Sequence, residues 1–275
     1  MQNHFAGDIG DYLKLGILRA LSPGYRLGVA WWLHPDESDG NGQHVGYIHR
    51  AGQWRHFDPA LFDALHRIVM SGQRNVQALA AAGLLPGAMF HDGLVPTGGP
   101  NRQAARRDWF RTVVATLGDA DLVFVDPDNG LEPNGFRHGA AKSGKSVQLS
   151  ELHGLARPDR CLVVYHHQTR RAGGHLAEIL HWLERLRDEG FRTVDALRCK
   201  PYSPRVFFLL NAPEVIRQRA ARIEAGWHPC ITWHPGNRVA SHDAIPPSQI
   251  DPPPLVWNDN SGLSPERPTM VQHRP

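Results

Sequence analysis

The chain lacks the features that would assign it to several specialised classes of protein. Its 275 residues include only three cysteines, which are widely spaced, so neither a disulfide framework nor a zinc knuckle is expected. No apolar run approaches the length that spans a membrane, and no basic-then-apolar leader opens the chain. The formal net charge is only +3. We therefore expect a cytoplasmic protein that has no membrane partner.

The composition is that of an ordinary globular protein. Hydrophobic residues make up 41% of the chain and charged residues 21%, and the length is ample for a sizeable core. The arginines occur in clusters at residues 102–111, 170–171 and 217–222. Such clusters suit contacts with nucleic-acid phosphates, and they are equally typical of solvated helix faces.

Strand-like apolar runs alternate with helical periodicity over the first 225 residues. Strands are predicted at residues 27–33, 88–91, 122–125, 161–165, 193–199 and 205–210. Helices are predicted at residues 11–21, 59–69, 76–82, 104–117, 176–187 and 214–225. The alternation favours an α/β fold with a doubly wound, mostly parallel sheet.

The end of this pattern differs from its beginning. Residues 200–204, which join the last two strands, are too few for a crossover helix, so the last strand pair must be antiparallel. From about residue 234 the periodicity stops and prolines accumulate. We expect one Rossmann-like domain at residues 1–233 and an irregular or disordered tail at residues 234–275.

Two segments carry acidic and basic residues of the kind that enzymes use in their active sites. Asp8, Asp11 and Lys14 are spaced three apart where an exposed loop enters the first helix. The apolar run at residues 122–125 ends in Asp126, followed by Pro127-Asp128-Asn129. Open α/β sheets bind their ligands at the carboxyl ends of buried strands, which makes these two segments the candidate site.

Class I methyltransferases end their sheet with an antiparallel pair, and this chain resembles one such family, the RlmJ-type adenine-N6 methyltransferases of large-subunit ribosomal RNA. Residues 6–14 resemble that family's A-G-N-x-x-D-x-L-K motif, with Asp8 in place of the asparagine. Residues 126–129 stand where the family has D-P-P-Y, and residues 162–213 resemble its ending, down to an Asn-x-Pro at 211–213.

The resemblance implies an S-adenosyl-L-methionine-dependent methyltransferase that acts on a nucleobase of RNA or DNA. It assigns the catalytic motif to Asp126, Pro127, Asp128 and Asn129. In this scheme, Lys14 meets the cofactor's methionine carboxylate, and Asp126 with the Pro127 carbonyl orients the acceptor amine of a flipped base. The residues expected to bind the cofactor are Asp11, Lys14, Asp36, Gly40 and Asp92.

The chain departs from the family at two places. The loop after the first predicted strand has its glycines late and among acids, so Asp36 and Gly40 would form an unusual cofactor loop. Asn129 replaces the aromatic residue that stacks on the extruded base, so either Tyr165 substitutes for it or the target is not adenine.

Substrate contacts are expected from two further segments. Residues 139–146 fit the formula of a phosphate-binding loop, but no strand precedes them, which favours a basic loop that touches substrate phosphate. A polar segment follows the strand at residues 161–165, on the same rim as Asp126. The predicted substrate-binding residues are Lys142, Lys145, Tyr165, His166 and Arg170.

Two other functions remain open at this point. Asp126, Asp128 and Glu132 with nearby histidines would suit a metal-dependent hydrolase or nuclease on a related sheet. A catalytically silent nucleic-acid-binding relative is the third possibility. The methyltransferase is preferred, and it requires no metal ligand.

Overall fold

The structure is a computed structural model that describes residues 1–37, 44–138 and 140–236. The predicted tail therefore lies outside the described residues except for residues 234–236, and so does Gly40. The helices are α1 (Ile9–Leu21), α2 (Ala51–Trp54), α3 (Pro59–Met70), α4 (Val76–Ala81), α5 (Arg102–Thr116), α6 (Leu149–Leu155), α7 (Gly174–Asp188) and α8 (Glu214–Gly226). The strands are β1 (Leu27–Ala30), β2 (Met89–His91), β3 (Leu122–Val125), β4 (Gly130–Leu131), β5 (Ser146–Val147), β6 (Cys161–His167), β7 (Val194–Cys199), β8 (Arg205–Leu210) and β9 (Ile231–His234).

Seven strands form one mixed sheet in the order β2-β1-β3-β6-β8-β7-β9. The strands from β2 to β6 pair in parallel, whereas β8 is antiparallel to both β6 and β7. The predicted α/β class, with a mostly parallel core and an antiparallel last pair, is confirmed. β4 and β5 form a separate two-stranded ribbon.

The sheet extends one strand further than the sequence predicted. β9 pairs antiparallel with β7 and makes the outer edge. Its four residues are mostly half-buried, and they carry no long apolar run that would mark a strand. The pairing partner, rather than the local sequence, makes this segment a strand.

Two strands end at different residues from those predicted. β1 stops at Ala30 because Trp32 has a positive φ of 44°, which turns the chain away from the sheet. β6 runs two residues past the predicted end because His166 and His167 pair with Val206 and Arg205 of β8. The extension of β6 brings polar side chains into the sheet next to the end of β3.

The core has two layers, one on each face of the sheet. Helices α1, α3, α4 and α8 pack on one face and α5, α6 and α7 on the other. Because side chains alternate along a strand, Phe124 of β3 belongs to the first layer and Val123 to the second. No described helix combines the length and hydrophobicity needed to cross a membrane.

Helix α1 begins with a side-chain cap and packs closely on α8. Asp8 is the N-cap, and its Oδ1 accepts a hydrogen bond from the Asp11 amide at 2.9 Å. About two turns further along, Gly16 lies directly against the ring of Trp227, leaving no room for a methyl group. The contact sets how near α1 and α8 can approach.

We predict that Gly16→Ala lowers the free energy of unfolding by about 1–3 kcal/mol, because the added Cβ would overlap the Trp227 ring. Alanine would otherwise favour a helix by about 1 kcal/mol. Gly52→Ala in α2 is the matched control, since a Cβ there meets open space. Urea unfolding checks the pair, and equal changes in both variants would contradict the packing argument.

Candidate active site

The strand order reverses between β1 and β3, which is where open α/β sheets bind their ligands. From β1 the chain passes first to β2 on one side and then to β3 on the other. A cavity of about 290 Å³ lies beyond the carboxyl ends of β3 and β6, against the start of α1. The predicted site residues that line it are Asp11, Lys14, Asp126, Pro127, Asp128, Asn129, Lys145 and Tyr165.

A buried lysine joins the two predicted segments. The Nζ atom of Lys14 lies 2.8 Å from Asp11 Oδ1 and 2.6 Å from Asp126 Oδ2. The three side chains are at most 5% exposed. Burial by itself would lower the pKa of Lys14, but the two carboxylates outweigh it and raise the pKa above its ordinary value. Lys14 therefore stays charged.

The charged form of Asp126 is stabilised less well by its surroundings than the charged form of Lys14 is. Burial raises the pKa of Asp126 above the ordinary 3.8, and the charges of Lys14 and the Met1 ammonium oppose this shift only in part. The backbone amide of Asp126 continues the parallel ladder by donating to the Ala30 carbonyl at 3.0 Å. Pro127 has no amide hydrogen, so the ladder ends there and the chain turns along the cavity.

Asp128 forms its ion pairs with positive groups other than Lys14. Its Oδ1 lies 2.6 Å from the Met1 ammonium, and its Oδ2 accepts from Gln2 Nε2 at 2.6 Å. Burial would raise the pKa of Asp128, but the ammonium group of Met1 and the hydrogen bonds lower it below its ordinary value. Lys145 Nζ lies 3.8 Å from the same carboxylate and 2.5 Å from Glu37 Oε2.

The segment after Asp128 is fixed by close packing on β6. The backbone amide of Asn129 donates to the Lys145 carbonyl at 2.8 Å, which ties residues 126–129 to the basic loop. Gly130 has a φ of 100° and lies against His166, so a side chain would neither adopt this backbone conformation nor fit.

Alternation along β6 decides which histidine faces the cavity. Tyr165 and His167 are two residues apart and point into it, whereas His166 points to the opposite face. There the His166 ring accepts from the Leu131 amide at 3.0 Å and lies 3.2 Å from Glu178 Oε1. The residue expected to contact substrate, His166, is thus replaced in the cavity by His167.

Other predicted residues lie away from the cavity. Asp36 accepts from the Asn3 amide at 2.7 Å, and Asp92 is exposed and accepts from Gln77 Nε2 at 2.9 Å. Lys142 and Arg170 are exposed and do not line the cavity. Loop residues depend on the path of the chain after each strand, which the strand pattern does not specify.

Several cavity residues were not assigned from the sequence. Asp8 was part of the quoted motif, and burial, with the charge of Asp11, raises its pKa, while Arg205 opposes the shift. Ser203 and Arg205 come from the connection between β7 and β8 and the start of β8. The only available signal for them was the antiparallel pairing, which returns β8 to the side of β6.

Comparison with known proteins does not assign the chain. No protein-family model matches it, and no curated protein matches it either. The chemistry of the cavity is therefore the basis for a function.

Two of the three carboxylates that the sequence offered as metal ligands are ion-paired. Asp126 pairs with Lys14 and Asp128 with the Met1 ammonium. Within residues 1–37, 44–138 and 140–236, no three His, Cys, Asp or Glu side chains are grouped so as to hold a metal ion.

We predict that Lys14→Met lowers the free energy of unfolding by about 3–5 kcal/mol at pH 8, because it leaves two carboxylates buried without their cation. The loss should be smaller at pH 5. When the pKa of a carboxyl group is higher in the folded state than in the unfolded state, the protein loses stability as the pH rises from the unfolded-state pKa to the folded-state pKa. The charge of Lys14 opposes the raised pKa of Asp126, so removing Lys14 raises that pKa further and enlarges the loss at high pH.

Urea unfolding at both pH values checks this expectation. Lys142→Met is the matched control, since Lys142 is an exposed lysine and its loss should change the free energy of unfolding by less than about 0.5 kcal/mol. A loss for Lys14→Met that does not vary with pH would contradict the ion-pair account.

Proposed function

We propose that the chain is an S-adenosyl-L-methionine-dependent methyltransferase that acts on a nucleobase of RNA or DNA. The observation that carries the proposal is the 2.6 Å pairing of Lys14 Nζ with Asp126 Oδ2, across 112 residues of sequence, inside a cavity beyond the carboxyl ends of β3 and β6. The parallel strands followed by an antiparallel end also support it.

The charges of the cavity wall favour a zwitterionic ligand. Among the described lining residues, the Met1 ammonium, Lys14, Lys145 and Arg205 are positive, and Asp8, Asp11, Asp126 and Asp128 are their acidic counterparts. Such a wall offers a partner to both the ammonium and the carboxylate of a methionine moiety. Because the four carboxyl groups balance the four cations, the wall has no excess positive charge to attract a polyanion such as a nucleoside triphosphate.

The proposed reaction needs groups that accept hydrogen bonds from the acceptor amine and orient it. When bound, S-adenosylmethionine supplies an electrophilic methyl group on its sulfonium. Asp126 and the Pro127 carbonyl would accept hydrogen bonds from the acceptor amine and so aim its lone pair, which makes catalysis chiefly a matter of position. Tyr165 would provide the aromatic surface that Asn129 cannot.

Exposed basic side chains in two segments that also carry cavity residues suit a nucleic-acid partner. Lys142 lies in the short 3₁₀ turn that also carries the cavity residue Lys145, and Arg170 follows three residues after His167. Both would contact phosphates of the substrate, where lysine and arginine contribute affinity without reading sequence.

We predict that the protein binds S-adenosylhomocysteine and transfers labelled methyl groups to nucleic acid, and that Asp126→Asn lowers the transfer rate by roughly 100-fold because the amine is no longer aimed. Calorimetry measures binding, and incubation with separate RNA and DNA pools measures transfer. Asp63→Asn, which alters an exposed carboxylate paired with Arg55, is the control and should keep the wild-type rate.

Two results would remove the assignment. One is a wild-type protein that shows no affinity for S-adenosylhomocysteine. The other is an Asp126→Asn protein that transfers methyl groups as fast as the wild type.

A further inference from the structure

Three side chains form a hydrogen-bonded chain along one wall of the cavity. Tyr165 Oη lies 3.2 Å from His167 Nδ1, and His167 Nε2 lies 3.3 Å from Ser203 Oγ. All three are half-buried and line the cavity. β6 supplies the first two, and the connection between β7 and β8 supplies the third.

The order of groups in this chain suits the passage of a proton. A neutral imidazole carries one N–H donor and one acceptor nitrogen, so it can receive a proton at one side and release another at the opposite side. Hydroxyl groups at both ends donate and accept. Burial raises the pKa of Tyr165 to about 12, so its phenol keeps its proton at neutral pH.

Tyr165, at one end of this hydrogen-bonded series, lies near the proposed reaction centre. The Tyr165 ring centroid is 5.9 Å from Lys14 Nζ, which in turn lies 2.6 Å from Asp126 Oδ2. The other end, Ser203, lies in the connection between the end of β7 and the start of β8.

Asp126 and Asp128 are poorer proton acceptors than this imidazole because both carboxylates are ion-paired. A proton on Asp126 would leave Lys14 with an incompletely compensated charge, and a proton on Asp128 would do the same to the Met1 ammonium. Among the described residues, His167 takes part in hydrogen bonds but in no ion pair. Its protonation breaks no buried pair.

The surroundings of His167 keep it neutral. Burial lowers its pKa below the usual value, and the charge of Arg205 on β8 and that of the neighbouring His166 lower it further. Glu178 on α7 and Asp128 after β3 act in the opposite direction but do not reverse the shift. A neutral imidazole is the form that can accept a proton at pH 7.

We propose that Tyr165, His167 and Ser203 are a relay that removes the proton lost by the acceptor amine on methylation, an inference that rests on the proposed function. The amine nitrogen forms its bond to the methyl carbon while the carbon–sulfur bond breaks and leaves its electron pair on sulfur. The methylated nitrogen then gives one proton to Tyr165 Oη, and Tyr165 passes its own to His167 Nδ1. The imidazolium loses its Nε2 proton through Ser203 to water, so one proton is released per turnover. Proton exchange with water then restores the tautomer of His167 that carries its proton on Nε2.

The first test is the pH dependence of kcat in the wild type and in His167→Gln, which retains polar groups but does not titrate. Wild-type kcat should fall on the acidic side, where His167 is already protonated. His167→Gln should lower kcat by about 100-fold at pH 8 and abolish the acidic limb. The affinity for S-adenosylhomocysteine should stay unchanged. His153→Gln, an exposed histidine beside Glu189, is the control and should match the wild type.

A second test asks whether the three groups act as a unit. Tyr165→Phe keeps the ring but removes the hydroxyl, and its effect on kcat should not add to that of His167→Gln, since either change breaks the same path. If His167→Gln does not fold, Ser203→Ala is the substitute variant, because it removes only a half-buried hydroxyl. It should also slow turnover. Independently of activity, NMR titration of His167 should give a pKa below about 6.5 that shifts in Tyr165→Phe.

The outcomes separate the two proposals. If the wild type binds S-adenosylhomocysteine and transfers methyl groups while His167→Gln keeps both kcat and the acidic limb, the relay is wrong and the methyltransferase stands. Additive effects of the Tyr165 and His167 changes would also overturn the relay. A wild type without affinity for S-adenosylhomocysteine would overturn both.

Discussion

The arrangement of the site depends on one buried cation. The ammonium group of Lys14 joins Asp11 on its own helix to Asp126 at the end of β3, and through them it holds the first turns of α1 against the carboxyl edge of the sheet. A charge this deeply buried is tolerated only when it is paired and hydrogen-bonded. The position of α1, and so one whole wall of the cavity, follows from this requirement.

The remaining walls come from the two halves of the sheet. Asp126 follows the end of β3. The antiparallel return of β8 beside β6 places Arg205 against the start of α1, near Asp8. Positive and negative groups therefore alternate around the cavity rather than gathering on one side. Such a cavity is suited to a ligand that carries both signs. The imidazole of His167 on its wall is available for proton transfer because the carboxylates of Asp126 and Asp128 already have partners.

Much of the fold was predictable because its causes are local. The buried strands at β3 and β8 have the predicted bounds, and the five-residue connection before β8 forced the antiparallel pair. The site was predictable only in part. Lys14 and Asp126 could be assigned to one cleft in advance from their motifs, although their ion pair was not foreseen. Asp36 and Asp92 lie outside the cavity because the loops after β1 and β2 turn elsewhere. β9 was missed because its pairing with β7 supplies what its sequence lacks.

The sequence by itself determined that buried strands alternate with helices and that carboxylates follow one of these strands, since hydrophobic periodicity and strand length are properties of neighbouring residues. It also required Tyr165 and His167 to share one side of β6 and His166 to take the other. Only the tertiary structure decided which side is the cavity, because α1 covers one face of the sheet and α7 the other. The meeting of Lys14, Asp126 and His167 likewise depends on long-range packing and charge pairing, which no local pattern records.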